Sequence, residues 1–426
     1  MKLRARSLIC IIAIIIGHHA CGQVSLGNVA LKDVTIIDAN HKQPLAHQTV
    51  LVRGRVIADM FTNGSKAVPD SFVIINLHNK YLLPGLIDTH VHMATDPSGT
   101  DNRAHTLSTL EQMLYSGVTI VRDMAGDART LAGLARDAKT GDIVSPDIYY
   151  SALMAGPEFF GDPRTHTSAA GAVAGKMPYM LGVTDSTNMT LAIAEAKGTG
   201  AIGIKLYADL SASLVNKIVK EADKQGMIVW GHAWLQKARP SDLIYAGVSS
   251  VSHAPLMVYE KMDSIPSAWK KGTHTAAFWD KVTPDLSALF ELMKQHNTIL
   301  DETLLTYQRA GKESSSWQCS YELGKRITAK AYQAGVKICA GTDDDQTEFV
   351  QGELDCLVKE AGFKPIDAII AATLHGAEAL HIDDKYGTIE PGKFADLLVV
   401  DKDPLDDIAN VRSINFVMKE GKIFRK

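Results

Sequence analysis

Apolar and polar positions divide the chain into stretches of different period. Between Val29 and Leu77 the runs are short and rich in β-branched residues: Val29 to Ile37, Thr49 to Met60 and Phe72 to Leu77. Turn-forming Asp38-Ala39-Asn40, Arg53-Gly54-Arg55 and Asn63-Gly64 separate them. From Tyr81 onward, compact apolar runs alternate with stretches of helical character. The runs predict strands at Leu83 to His90, Val118 to Asp123, Asp147 to Met154, Ala201 to Tyr207, Met227 to His232, Ser249 to His253, Thr298 to Glu302 and Val336 to Thr342. Helices are expected between them, for example at Ala104 to Ser116, Ala128 to Thr140, Ser211 to Gln225 and Ser320 to Ala334. Gly117, Gly226, Gly247 and Gly335 stand where a left-handed C-cap would end a helix before the next strand. Eight repeats of this kind predict an α/β fold, a (β/α)8 TIM barrel over residues 81–386, with an open doubly wound sheet as the alternative. Short strands return at Leu397 to Asp401, Asn415 to Lys419 and Lys422 to Arg425. Residues 24–80 and 387–426 are therefore expected to pair into one small β-sandwich domain beside the barrel.

Composition narrows the class without deciding it. The 426 residues are 46% hydrophobic and 22% charged, within the globular range. A net charge of −4 with no basic cluster gives no footing for nucleic acid, so a small-molecule substrate is the expected partner. Lys2, Arg4 and Arg6 precede the apolar run Leu8 to Ile16, followed by the small and polar residues up to Ala20. That order is the order of a secretory signal covering residues 1–20, too short to span a bilayer comfortably, with a buried core helix as the alternative. An exported protein, periplasmic or extracellular, is expected. Ala20-Cys21 resembles a lipoprotein cleavage site, which would anchor the protein by a lipid on Cys21, although His18 and His19 depart from that pattern. Cys10, Cys319, Cys339 and Cys356 show no paired spacing that would indicate a disulfide framework.

Residues at the C-terminal ends of barrel strands converge on one mouth. There the predicted strands place His90 and His92, which project from the same face, together with Lys205, His232, His253 and Asp343. Singly, each reads as an ordinary hydrogen-bonded polar residue. Jointly, neutral imidazoles and a carboxylate suit two divalent ions of the Zn(II) kind, a few ångströms apart, able to acidify a water between them. A buried lysine beside cations loses its proton easily, and adding carbon dioxide converts it to a carbamate, an anion that can bridge two metals. Asp343 could then accept the proton of the attacking water and pass it to the leaving amine.

Leu83-Pro84-Gly85-Leu86-Ile87-Asp88-Thr89-His90-Val91-His92, Ile204-Lys205, His232, Ser252-His253-Ala254, Gly341-Thr342-Asp343 and Gly387-Thr388-Ile389-Glu390-Pro391-Gly392-Lys393-Phe394-Ala395-Asp396-Leu397 resemble the amidohydrolase superfamily over nearly all of residues 29–425. The resemblance implies a binuclear site with His90, His92 and Asp343 on one metal, His232 and His253 on the other, and carboxylated Lys205 bridging both. The chain is most similar to the imidazolonepropionase-like branch, which includes Xaa-Pro dipeptidases and other enzymes cleaving N-acyl amino acids. Lys205 argues against imidazolonepropionase itself, which resembles a one-metal enzyme. Leu235 stands where nucleobase deaminases of the superfamily carry Glu, which argues against deamination. The expected activity is hydrolysis of an amide or peptide-like C–N bond in a dipeptide or N-acyl amino acid. An ester, lactone or phosphotriester hydrolase and a silent metal-binding scaffold are the alternatives.

Long loops at Ala155 to Val183, Pro255 to Thr283 and Thr303 to Gln318 are candidates to read the substrate, the first of them as a lid. Tyr207 and Trp234 each lie two residues beyond a ligand candidate on the same face and could touch substrate or simply pack. Arg164, His166 and Arg309 are candidates to bind a substrate carboxylate.

Overall fold

The computed structural model describes residues 22–25, 27–41, 43–94, 102–261, 284–343 and 349–425. The expected signal, Cys21 and most of the loop from Pro255 to Thr283 lie outside the described residues. Eight parallel strands form the barrel: Leu86–Val91, Val118–Asp123, Asp147–Ala155, Gly203–Leu206, Ile228–His232, Ser250–Ser252, Ile299–Asp301 and Ile338–Cys339. The last returns to the first, with Thr89 N–H donating to Ala340 O (3.0 Å) and Asp343 N–H to His90 O (2.8 Å). Helices cover the outside by their apolar stripes. The helix Ala212–Lys224 shows how: Ser211 caps it by accepting from Leu214 N–H, and Leu214, Val215, Ile218, Val219 and Ala222 face the strands.

The two chain ends build a separate nine-stranded, mostly antiparallel sheet. Its main path runs Gly22–Ser25, Lys422–Arg425, Ile414–Lys419, Leu397–Val400, Tyr81–Pro84, Asn28–Ile36, Leu45–Arg53 and Val56–Thr62, with Val73–Asn76 pairing beside Asn28–Ile36. Strands from both ends of this path bury into one core that includes Val29, Leu31, Val50, Ile57, Leu397, Phe416 and Ile423.

The strand expected from Leu83 to His90 is two strands. Tyr81–Pro84 pairs antiparallel with Leu397–Val400, and Leu86 opens the barrel in register with Val118. Gly85 is the junction. A Cβ there would collide with the Thr119 side chain, so only glycine lets the chain pass from one sheet to the other without a linker. Thr303 to Gln318 is helical rather than a loop, forming all of Leu304–Glu313 and the start of Ser315–Gln333, because Leu304, Leu305 and Tyr307 bury against the barrel. The segment after Ala155 is also built. A 3-10 turn at Pro157–Gly161, the helix Pro163–Ser168 and a hairpin ending in Met180–Gly182 follow, and the hairpin adds to the third barrel strand.

The barrel interior is layered. Ile87, Ile120, Met124 and Trp230 close its floor against Ala377, Leu380 and Tyr386, and Trp230 Nε1 donates to Ala379 O at 2.8 Å. Above the Trp230 ring, at 4.8 Å, lies the guanidinium of Arg122. No helix among the described residues is long and apolar enough to cross a membrane, and Cys319, Cys339 and Cys356 are free thiols.

Candidate active site

Above Arg122 the barrel turns polar, and the six residues expected at the mouth meet there. His90 lies in the first strand with His92 just beyond it. Lys205 is in the fourth strand, His232 ends the fifth, His253 follows the sixth and Asp343 follows the eighth. Asp343 Oδ1 is 3.1 Å from His92 Nε2 and 3.8 Å from His90 Nε2, and its Oδ2 is 3.9 Å from His253 Nδ1. The His90 and His253 rings are centred 5.1 Å apart, and those of His232 and His253 4.4 Å. One donor atom from each of His90, His253 and Asp343 falls within 4.8 Å of the other two, a spacing able to hold a metal ion.

The orientation of the rings favours ligation. Every Nδ1 has a partner: Asp301 Oδ2 for His90 (2.7 Å), Ala125 O for His92 (3.2 Å), Trp234 O for His232 (3.2 Å) and Thr303 Oγ1 for His253 (2.9 Å). Engaging Nδ1 leaves Nε2 as the ligating atom, the arrangement that commonly orients histidine toward a metal. Protonation states agree at three of the four rings. Burial lowers the pKa of His90, His232 and His253, keeping them neutral, whereas at His92 the carboxylate of Asp343 outweighs burial and raises it. Burial alone would raise the Asp343 carboxyl, but His90, His92 and His253 hold it well below the usual carboxylate range. Burial, reinforced by the charge of Arg122 and opposed by Asp301, pushes Lys205 down to about 7. Its Nζ donates to Ser252 Oγ at 2.9 Å.

Strain marks the same face. Ala125, Asp209, Gln236, His253, Thr303 and Asp343 all have positive φ, from 47° to 131°, and each follows the C-terminal end of a barrel strand. Non-glycine residues persist in such conformations only when their surroundings impose them, and they cluster at functional sites.

Sequence reasoning missed the supports of this site. Asp301, at the end of the seventh strand, receives His90 Nδ1, Ser252 Oγ (2.8 Å) and Arg122 (3.1 Å) on one carboxylate oxygen. The ring of His90, Arg122 and Lys205 together overcome the effect of burial and lower the Asp301 pKa. Asp88 accepts from the backbone of His90 and Thr342 (3.1 Å each) and from Thr342 Oγ1 (2.9 Å), tying the first strand to the turn that carries Asp343. The available signal was a strand-end carboxylate in Ile299-Leu300-Asp301, the position that marked the ligands.

The substrate candidates fare differently. Tyr207 is half-buried, its ring 4.8 Å from that of His232 and 4.6 Å from Phe159, and its hydroxyl meets Arg164. Arg164 is spent on that hydroxyl and on Asp162 (2.8 Å), so it is no free carboxylate receptor. His166 turns its Nε2 toward Phe160 O at 3.1 Å, within its own segment. Trp234 is buried in a parallel stack with Tyr259, centroids 4.3 Å apart, and what it offers the site is its carbonyl. Arg309 lies on Leu304–Glu313, two residues past Tyr307, whose ring is 6.2 Å from His253 and 5.7 Å from Trp317.

A closed parallel barrel with imidazoles, a lysine and a carboxylate gathered at its C-terminal mouth defines a barrel enzyme acting on small molecules at that face. Residues 81–424 match the Amidohydrolase family, and the chain belongs to that family. It is a hydrolase acting on carbon–nitrogen bonds. The chain is 25% identical to the ochratoxinase of Aspergillus niger over 437 aligned residues, 90% of this chain and 84% of that protein. The solved structure of that ochratoxinase is similar with a TM-score of 0.74, over 93% of this chain and 95% of that one, at 21% identity. A Xaa-Pro dipeptidase crystallised with methionine in its active site is similar with a TM-score of 0.75, over 94% of this chain and all of that one, at 23% identity.

Proposed function

We propose that the enzyme is an exported binuclear amidohydrolase that cleaves the amide bond of a dipeptide or an N-acyl amino acid. The observation that carries the reading is the set of four imidazoles, each anchored through Nδ1, arranged around Lys205 and Asp343. His90, His92 and Asp343 would hold one divalent ion, Zn(II) by the chemistry of the donors, and His232 and His253 the other. When bound, the ions would polarise the scissile carbonyl and lower the pKa of a water.

The chain does the rest. With its pKa pushed down to about 7, Lys205 has a substantial part of its amine as the free base at neutral pH. The amine nitrogen can bond to the carbon of carbon dioxide and release one proton, leaving a carbamate able to bridge the two ions. Asp343, ionised and beside His92, would take a proton from the attacking water and return it to the nitrogen of the departing amine. Tyr207, with its hydroxyl held by Arg164, and the rings of Phe159, Tyr307 and Trp317 supply an aromatic wall for an apolar or aromatic substrate group. The names of the relatives, a dipeptidase and an ochratoxinase, support an amide substrate. Export, with residues 1–20 removed and Cys21 available for a lipid, rests on the N-terminal residue order alone.

The test is metal content by elemental analysis of chelator-free protein, followed by turnover of dipeptides, N-acyl amino acids and matched esters. Two ions per chain with preference for amides is the expected result. Ester turnover without amide turnover would replace the substrate class, and no metal after reconstitution would favour the silent scaffold. Mass spectrometry of the mature N-terminus tests export and the lipid: a mature chain beginning at a lipidated Cys21 is the anchored form, and an intact Met1 excludes processing.

A further inference from the structure

Behind His253 lies a pair of carboxyl groups that the proposed chemistry does not use. Glu302 follows Asp301 and points to the opposite side of the strand, toward the helix Phe349–Asp355 that carries Glu353. Both are fully buried, and their carboxyls are in hydrogen-bond contact. Glu353 Oε1 accepts from Leu304 N–H (2.7 Å) and Oε2 from Leu305 N–H (2.8 Å). Among the described residues no other residue's N–H is directed at either oxygen of Glu302. Two buried carboxyls in contact cannot both ionise. Burial raises both, Glu302 well above the usual carboxylate range and Glu353 to about 8, where its two backbone donors oppose the rise, so a proton stays between them.

This arrangement removes a duty from Thr303. Thr303 is the N-cap of Leu304–Glu313, but its side chain makes no capping hydrogen bond. Glu353 takes the first N–H groups of that helix instead, one on each carboxyl oxygen. The Thr303 hydroxyl is thereby free to hold His253 Nδ1 at 2.9 Å, from a backbone at φ 52°. Nothing in Thr303 itself would keep that strained turn in place.

We infer that Glu353, held by Glu302, is a positioning residue for His253: by capping Leu304 and Leu305 from another element it fixes the Thr303 turn and so directs His253 Nε2 into the site. The inference rests on the reading of His253 as a metal ligand. Because supports of this kind commonly change metal affinity 10–100-fold, the loss of a clamp one step further back is expected to weaken Zn(II) binding by about 10-fold.

The experiment uses the full chain as wild type, Glu353→Gln, Thr303→Val, the double variant and Glu302→Gln. Zn(II) affinity is measured by competition with a chromogenic chelator, beside Tm of the metal-free and loaded forms. Glu353→Gln places an amide N–H₂ against a backbone N–H and should weaken the more loosely held Zn(II) about 10-fold. Thr303→Val should lose a similar amount, and the double variant no more than the larger single loss, because the two act in series. Glu302→Gln keeps a donor facing Glu353 and should bind Zn(II) close to wild type. A Glu353→Gln protein with lowered Tm but unchanged Zn(II) affinity would overturn the inference, as would additive losses in the double variant. Should Glu353→Gln not accumulate, amide hydrogen exchange of the wild type decides: Zn(II) must slow exchange in peptides spanning residues 303–307, and equal exchange with and without metal overturns the inference. A wild type that takes up two Zn(II) ions while Glu353→Gln binds them equally well overturns the inference alone. A wild type that takes up none overturns the metal reading with it.

Discussion

Two carboxylates at the barrel mouth have the same side-chain chemistry and opposite assignments. Asp343 faces His92 and His90 from a turn after the eighth strand, with its pKa held low, and is the residue proposed to move a proton. Asp301 is wholly buried and committed to Arg122, Ser252 and His90, so it orients and does not react. Asp343→Asn should leave the circular dichroism spectrum unchanged and lower kcat by about 10²–10⁴, the usual weight of a general base; wild-type turnover would remove Asp343 from the mechanism. Asp301→Asn strands the buried guanidinium of Arg122, a change that typically costs about 3–5 kcal/mol. It should therefore show up as a large fall in Tm together with weakened metal binding. A loss of turnover with Tm intact would mean that Asp301 acts on the reaction directly.

At the scale of elements, the pattern of apolar runs located seven of the eight barrel strands as separate units, because each is a short buried run bounded by turn residues. It ran the first barrel strand together with the preceding one, because Leu82-Leu83-Pro84 and Leu86-Ile87 are equally apolar and nothing local distinguishes two sheets. The distinction is made by Thr119 and Leu397, which lie far along the chain and meet Gly85 and Pro84 only in the fold. Gly85→Ala forces a methyl onto Thr119 at this junction. It should destabilise by about 1–3 kcal/mol, the common cost of overpacking, read as a lower midpoint in urea with unchanged slope. Gly85→Ala combined with Thr119→Ala, which removes both the crowding hydroxyl and the crowding methyl, should regain part of that loss.

Across the whole molecule, the terminal sheet is bound to the barrel through buried charge. Lys419 Nζ lies 2.7 Å from Asp147 and donates to Ser145 O at 2.9 Å, and Lys139 bridges Asp147 and Glu420 at 2.7 and 2.6 Å. Asp396 accepts from Glu420 N–H at 2.7 Å in this interface. Burial, followed by the charge of Asp147, pushes its carboxyl up to about 7. A carboxyl raised on folding is fully tolerated below its unfolded value near 4 and costs progressively more as pH rises toward its folded value. Asp396→Asn does not titrate, so its stability relative to wild type should rise between pH 4 and pH 7, by at most about 1.4 kcal/mol per pH unit, and level off above. Paired denaturant melts across that range check the sign, and a gap independent of pH would show that Asp396 titrates alike in the folded and unfolded protein.

The sequence by itself determined the alternation of barrel strands and helices and put six polar residues at strand ends, because strand ends follow from apolar period and polar side chains stand out against it. Both are local properties that survive reading one residue after another. Tertiary structure alone decided which side chains support those six. Asp301 reaches His90 across 211 positions of sequence, Arg164 turns from a substrate receptor into the partner of Tyr207, and Glu353 caps a helix whose own N-cap is occupied elsewhere. Long-range pairing depends on barrel closure and register, and no short window of residues carries either.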